Sequence, residues 1–172
     1  MKKIITVMTI LISSSIYANT CSNLTDCSEA ISNKTQIQYI SSSKLKGEGF
    51  EIDLDHENAE EIFSHLLSSF GYTRILISKN IFEIINKRDV RYRESPIIDA
   101  NKHHVPIFRP GNDYYMMRYK LISKKVPIGA IARNLRPFMS RYGRIIDINH
   151  SATILVNDSA KNLLRLHELI RE

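Results

Sequence analysis

The sequence has no tryptophan, only two cysteines and only six glycines among its 172 residues. Two cysteines cannot supply the four ligands of a structural zinc site. No apolar run approaches the ~20 residues that a membrane-spanning helix needs. The formal net charge is +6, and the basic residues are scattered along the chain rather than clustered. Scattered charge is typical of a solvated surface and disfavours a nucleic-acid-binding protein.

The first 18 residues have the pattern of a secretory signal peptide. Lys2 and Lys3 precede an apolar stretch from Ile4 to Ile12, and small polar residues then lead to Ala18, after which we expect cleavage. Loss of the two lysines lowers the net charge from +6 to +4. A retained signal anchor is the alternative, but the apolar stretch is short for one. We therefore expect an exported protein.

The two cysteines lie just past the expected cleavage site. Because the chain is bound for an oxidising compartment, Cys21 and Cys27 are predicted to form a short-loop disulfide. So short a loop restricts the unfolded chain little, so we expect at most ~2 kcal/mol and the role of a local tether. Lipid attachment at Cys21 is the alternative, and Thr20 and Ala18 fit its preceding pattern poorly.

The first half of the mature chain reads as one small module. Residues 19–43 are polar, with a weak helical pattern and a short strand at 36–40, and residues 44–86 form the remainder. Alternation predicts a strand at 50–54, and helical spacing predicts a helix over 59–70 that ends at Gly71. Strands at 72–77 and 81–85 then form a hairpin.

The second half repeats this order after a gap. Residues 87–113 lose the apolar rhythm and contain three prolines, so we expect a linker with little structure. Residues 114–172 predict strand, helix, strand, strand, helix, with Pro137 interrupting the first helix and Asp158 or Ser159 capping the last. The sequence therefore predicts an α+β protein of two small modules in series.

Several segments of the second half resemble a known family. They are Val126 to Ser140, with its Leu135-Arg136-Pro137 triplet, then Tyr142-Gly143, Ile154 to Asp158, and Asn162 to Leu166. Together they resemble the first repeated periplasmic module of bacterial secretins, the outer-membrane ring channels of type II secretion and of related type IV pilus and type III systems. Its fold is similar to that of RNA-binding KH domains, although the Gly-x-x-Gly loop that clamps RNA is absent here.

The first half resembles the N-terminal secretin module over Leu45 to Ile84. That module is also similar to the signalling domain of TonB-dependent receptors. Two departures stand out in the whole resemblance, which covers about residues 26–172. The family commonly has Asn where this chain has Ala152, and the later modules and the β-barrel have no counterpart. We therefore expect a free-standing accessory protein or a split or truncated secretin, and no pore.

No set of residues predicts catalysis or a cofactor site. His103 and His104 are adjacent, so their side chains point apart, and no partner with metal-ligand spacing follows them. The acidic residues between Asp53 and Glu61 fit a strand end and a helix N-terminus, which favours negative charge. We expect no enzyme, no metal, no cofactor and no small-molecule substrate.

The resemblance implies action through protein contacts in the periplasm, with association to the outer membrane through partners. In secretins the N-terminal module meets an inner-membrane component and the next module packs in a ring. By the resemblance, a free edge at Phe50 to Leu54 or at Ile81 to Ile85 is the candidate contact of the first module. The candidate contact residues are Phe50, Ile52, Leu54, Ile81 and Ile84 there, and Arg136, Arg141 and Arg144 in the second module. Ordinary solvated arginines are the alternative for the last three. The alternative function is a stand-alone periplasmic binding or signalling module like the receptor domain.

Overall fold

The computed structural model describes residues 20–122 and 127–171, so the signal-peptide prediction for 1–18 lies outside the described residues. Helices and strands alternate along it, and the α+β class is confirmed. In chain order the elements are β1 Thr20–Asn23, α1 Leu24–Lys34, β2 Gln38–Ser41, β3 Glu48–Asp53, α2 Ala59–Ser69, β4 Tyr72–Ser78, β5 Ile81–Asn86, β6 Ile97–Asn101, β7 Tyr114–Lys120, α3 Ile128–Leu135, β8 Arg144–Ile148, β9 Thr153–Ser159 and α4 Ala160–Arg171.

The elements β1 to β5 form what we call the first module, residues 20–86. Strands β1 and β3 pair antiparallel, and a separate sheet has the order β2-β5-β4, with β2 parallel to β5. Helices α1 and α2 bury one face each against these strands, because their apolar residues recur at helical spacing. Gly71 follows α2 with φ of +84°, a left-handed conformation that glycine adopts without steric cost.

Helix α1 is capped at its N-terminus by Asn23. The Asn23 side-chain oxygen accepts the Asp26 backbone N–H at 2.9 Å. A disulfide joins Cys21 on β1 to Cys27 on α1, and both residues are buried in the core of the module. The bridge therefore fixes β1 against α1 within the core, whereas we expected a local tether.

The second module comprises residues 97–171 and contains one four-stranded sheet of order β6-β7-β9-β8. Helices α3 and α4 cover one face of it around a core that includes Met117, Ile154 and Leu163, all fully buried. The predicted order of strand, helix, strand, strand, helix is confirmed. Pro137 ends α3 as expected, since a 3₁₀ helix spans Arg136–Phe138.

The stretch 87–113 differs from its prediction. A 3₁₀ helix occupies Lys87–Tyr92 with Val90 fully buried, and β6 pairs parallel with β7 as an edge strand of the second sheet. The prediction that this stretch has little structure is therefore wrong. The sequence gives little local signal for β6, because the strand is only five residues long and its parallel partner β7 lies farther along the chain.

Ala152, one of the two departures from the resembled family, has an unusual backbone conformation. It has φ of +50° and is buried just before β9, with its carbonyl oxygen accepting the Leu121 N–H at 2.9 Å. A non-glycine residue in this left-handed region is uncommon, and Asn tolerates it better than Ala. Residue 152 therefore has a backbone conformation that favours Asn, although this chain has an alanine there.

Candidate protein-interaction surfaces

The predicted contact strand at residues 81–85 is not an edge of its sheet. Strand β5 lies between β2 and β4 and pairs with both, so the prediction that Ile81 to Ile85 offers a free edge is wrong. Ile84 is buried in the core, and Ile81 is half-buried. The run of apolar residues in β5 reflects a strand covered on its faces, which a sequence does not distinguish from an exposed edge.

Strand β3 pairs only with β1 in the described structure, so its other edge carries no strand. Ile52 and Leu54 point into the core, and Phe50 packs on Phe70 with ring centroids 5.6 Å apart. These three side chains hold the strand in place, and their contact with a partner stays a prediction. The alternating outward positions belong to Glu51 and Asp53, both exposed. What β3 presents to solvent is therefore acidic.

The three predicted arginines of the second module are all exposed. Arg136 and Arg144 line the same shallow cleft, together with Met139 and Asp147. The Arg141 guanidinium instead lies over the Tyr142 ring, 5.6 Å from its centroid. The structure thus brings two of the three arginines to one cleft, and their contact with a neighbour stays a prediction.

The face of the second sheet that α3 and α4 leave uncovered is a surface that the sequence did not reveal. Its register sets Ile97, Met116, Asn157 and Arg144 side by side in one row. The next row contains Asp99, Arg118, Leu155 and Ile146. Ile97 is 55% exposed and Ile146 is 38% exposed. Apolar side chains therefore lie in the open among charged ones.

Arginines surround this open face. Arg91 and Arg93, from the 3₁₀ helix and its end, line a groove with Arg144, next to Met116 and Leu155 at the sheet face. The Arg118 guanidinium donates two hydrogen bonds to Asp99, which lower the pKa of that exposed carboxyl. Arg93 pairs with Glu83 at 3.0 Å. The sequence scatters these arginines over 54 positions from Arg91 to Arg144, and only the sheet register gathers them.

Charge is divided unequally between the two halves of the mature chain. Residues 19–86 contain 5 basic and 10 acidic residues, a net charge of −5, whereas residues 87–172 contain 17 basic and 8 acidic residues, a net charge of +9. The overall charge conceals this division. The two halves of the chain therefore carry opposite fields.

The modules are joined by a buried ion pair. Arg74 of β4 is fully buried and donates from Nε and Nη2 to the two carboxylate oxygens of Asp113, each at 2.7 Å. The Ser64 hydroxyl donates to the same carboxylate at 2.9 Å. Glu60 and the Tyr39 hydroxyl lie 3.1 and 2.8 Å from Arg74 Nη1. Every side chain in this group is thus paired, as a buried charge requires.

Electrostatics at this junction follow from the burial. Burial alone lowers the pKa of Arg74, but the charge and hydrogen bonds of Asp113 outweigh it and raise that pKa above its usual value. Burial also raises the pKa of Tyr39 to about 12, although Arg74 opposes the shift. Arg74 is therefore a permanent cation at physiological pH, held by Asp113.

Apolar packing and a tight turn complete the junction. Ile75 and Ile85 of the first module pack with Tyr114 of the second, and Val90 lies among them. Gly111, at φ of +120°, passes so close to α2 that an added Cβ would lie 2.7 Å from the Ser64 hydroxyl oxygen. The segment leading into β7 therefore rests directly on α2.

The residues that carry the sequence resemblance have a structural role. Buried Asp158 accepts the Ser140 backbone N–H at 2.9 Å and the Asn162 amide at 2.7 Å. Gly143 lies so close to this carboxylate that a Cβ would overlap it. The motif of Ser140, Gly143 and Asp158 thus holds the turn before β8 against the start of α4.

Other candidate sites give little. His103 and His104 are exposed, and the described part of the chain holds no group of three or more metal-binding side chains. No helix within residues 20–122 or 127–171 has the length and apolar character needed to cross a membrane.

Comparison with known proteins gives matches among solved structures. No protein-family model and no curated protein matches the sequence. The N-terminal domain of the secretin XcpQ from Pseudomonas aeruginosa is 14% identical over 87% of this chain and 60% of that chain, with a TM-score of 0.31. The GspC-GspD complex of the enterotoxigenic Escherichia coli type II secretion system is 14% identical over 90% of this chain and 94% of that chain, with a TM-score of 0.32.

The type II secretion outer-membrane complex of Klebsiella pneumoniae, with PulD, PulS and the PulC HR domain, gives the higher TM-score of 0.63. It is 14% identical over 90% of this chain and 26% of that chain. This match shows that the chain has the fold of secretin N-terminal modules, as the sequence predicts. The chain spans about 60% of the XcpQ N-terminal structures.

Proposed function

We propose that this chain is a non-enzymatic component of a protein secretion apparatus that acts through protein-protein contacts in the periplasm. The observation that carries the proposal is the fold match to the K. pneumoniae complex, which extends over 90% of the chain and so includes both modules. A fold shared by one module alone would support a general binding domain equally well. Two modules in the same series favour the role of a secretin N-terminal region.

The buried junction supports this proposal. A pair of independent binding domains needs only a flexible linker, whereas Arg74 and Asp113 hold these modules in one orientation. Fixed orientation matters where each module must meet a different neighbour at the same time. We propose that the first module meets an inner-membrane component and that the second contacts neighbouring subunits.

The test uses the mature chain, residues 19–172. Calorimetry should show that it binds the periplasmic part of an inner-membrane secretion protein encoded in the same genome, with a dissociation constant in the micromolar range typical of modest interfaces. Lys161→Glu, on α4 of the second module, is the matched control and should bind normally. Deletion of the gene should leave secreted cargo in the periplasm. Absence of binding together with unchanged secretion would contradict the proposal.

A further inference from the structure

The two modules carry complementary surfaces. The first, which we call the acidic ridge, comprises the exposed residues Glu48, Glu51, Asp53 and Glu57 of β3 and the turn after it. No lysine or arginine occurs in the sequence between Lys46 and Arg74. Lys34 of α1 reaches the end of β3 and pairs with Asp55, but Glu51 and Asp53 lie outward along the strand, so the ridge presents a net negative surface on the outer face of β3.

The second surface, which we call the basic sheet face, is the uncovered side of the sheet in the second module. Ile97, Met116, Leu155 and Ile146 form its apolar centre. Arg91 and Arg144 lie beside this centre, and neither forms an ion pair among the described residues, unlike Arg93 and Arg118. An apolar centre with a charged rim is the usual anatomy of a protein interface.

We propose that the acidic ridge of one copy of this chain docks on the basic sheet face of the next copy. The net charges of −5 and +9 in the two halves make a second copy the partner whose complementarity is present in the molecule itself. This contact names the surfaces through which neighbouring subunits associate, and so it rests on the proposed function. It also gives the assembly a polarity, because it joins two different surfaces.

A contact between unlike surfaces is head-to-tail. Each added copy leaves one ridge and one sheet face unoccupied at the ends, so association continues until a ring closes or a filament grows. A two-fold dimer would instead pair one surface with itself and stop. Two variants that each have one altered surface should therefore associate with each other when they are mixed.

Sedimentation velocity of the mature wild-type chain is the first measurement. We expect concentration-dependent assembly whose apparent dissociation constant rises by about tenfold or more between ~0.05 M and ~0.5 M salt, because salt screens exposed charges over a few ångströms. Glu51→Lys and Arg144→Glu should each weaken assembly by about tenfold or more. Lys161→Glu, an equal change of charge on the helical side of the second module, should leave assembly unchanged.

Mixing the two variants is the decisive step. The Glu51→Lys copy keeps an intact sheet face and the Arg144→Glu copy keeps an intact ridge, so an equimolar mixture should associate more strongly than either variant alone. Circular dichroism of each variant confirms that it is folded. Recovery of assembly only in the mixture supports the head-to-tail contact.

Three self-association results would overturn the inference, and a fourth comes from the parallel measurement of inner-membrane binding. They are a wild-type chain that stays monomeric at high concentration, assembly that neither reversal affects, and two variants that fail to associate with each other. Binding of the inner-membrane component is measured in parallel with the same proteins. If that binding persists, only the inference fails; if it is also absent, the proposed function fails with it. Loss of inner-membrane binding in Glu51→Lys, with self-association unchanged, would assign the ridge to that partner and likewise overturn the inference.

Discussion

Replacing Asp113 by Asn tests whether the buried ion pair determines the stability of the junction. The substitution keeps the shape of the side chain and removes its charge, leaving Arg74 fully buried without its bidentate partner. Removal of one member of a buried pair costs about 3–5 kcal/mol. Glu60 still faces Arg74 at 3.1 Å, so we expect the lower end, ~3 kcal/mol. With a urea dependence of about 2 kcal/mol per molar, the unfolding midpoint should fall by ~1.5 M.

The chain offers a matched control in Asp99→Asn. Asp99 also forms a two-bond pair with an arginine, Arg118, but both side chains are exposed, so the midpoint should stay close to that of the wild type. Urea titrations followed by far-ultraviolet circular dichroism give both values. The double variant Arg74→Met/Asp113→Leu should lose less stability than Asp113→Asn, because no buried charge remains unpaired. Equal midpoint shifts for Asp113→Asn and Asp99→Asn would refute the reasoning.

Three further predictions concern a buried phenol, the disulfide and a glycine. Burial raises the pKa of Tyr39 to about 12, so the neutral phenol stabilises the fold below pH 10 and this contribution is lost as the pH rises towards 12. The urea midpoint should therefore fall less steeply across this pH window in Tyr39→Phe than in the wild type. An equal slope in both proteins would count against a raised pKa for Tyr39. Cys21→Ala/Cys27→Ala should lower the free energy of unfolding by about 2 kcal/mol, measured against wild type under oxidising conditions, whereas no loss would mean that packing alone positions β1. Gly111→Ala should destabilise by about 1–3 kcal/mol because of its positive φ and its contact with α2, while Gly129→Ala within α3 should be neutral or stabilising by up to ~1 kcal/mol; similar thermal midpoints for the two would contradict this.

Local signals in the sequence predicted most elements of the fold. Helix α2 and the β4-β5 hairpin follow from helical spacing, the stop at Gly71 and alternation, all of which act within a few residues. Strand β6 gave only a weak signal, because it is five residues long and its partner β7 lies farther along the chain. Local pattern therefore predicts elements, whereas parallel pairing depends on tertiary structure.

The candidate surfaces were harder to predict for the same reason. Arg74 and Asp113 are 39 positions apart, and the apolar strand around Arg74 gives no sign that a charge is buried there. Ile52 and Ile84 are buried, although both were candidate contact residues. An apolar pattern does not show whether a strand lies at the edge or in the middle of its sheet. Exposure and register, which only the fold determines, moved the candidates to Glu51 and to the open sheet face.

The junction also determines how the two ends of the molecule influence each other. Ser64 on α2 bonds the carboxylate of Asp113, the next residue already belongs to β7, and the Asp113 carbonyl accepts the first N–H of α4 at Ala160. No slack chain separates these three contacts. A partner that tilts α2 would therefore displace the start of β7 and the start of α4 together, because Asp113 is bonded to α2 and α4 and directly precedes β7.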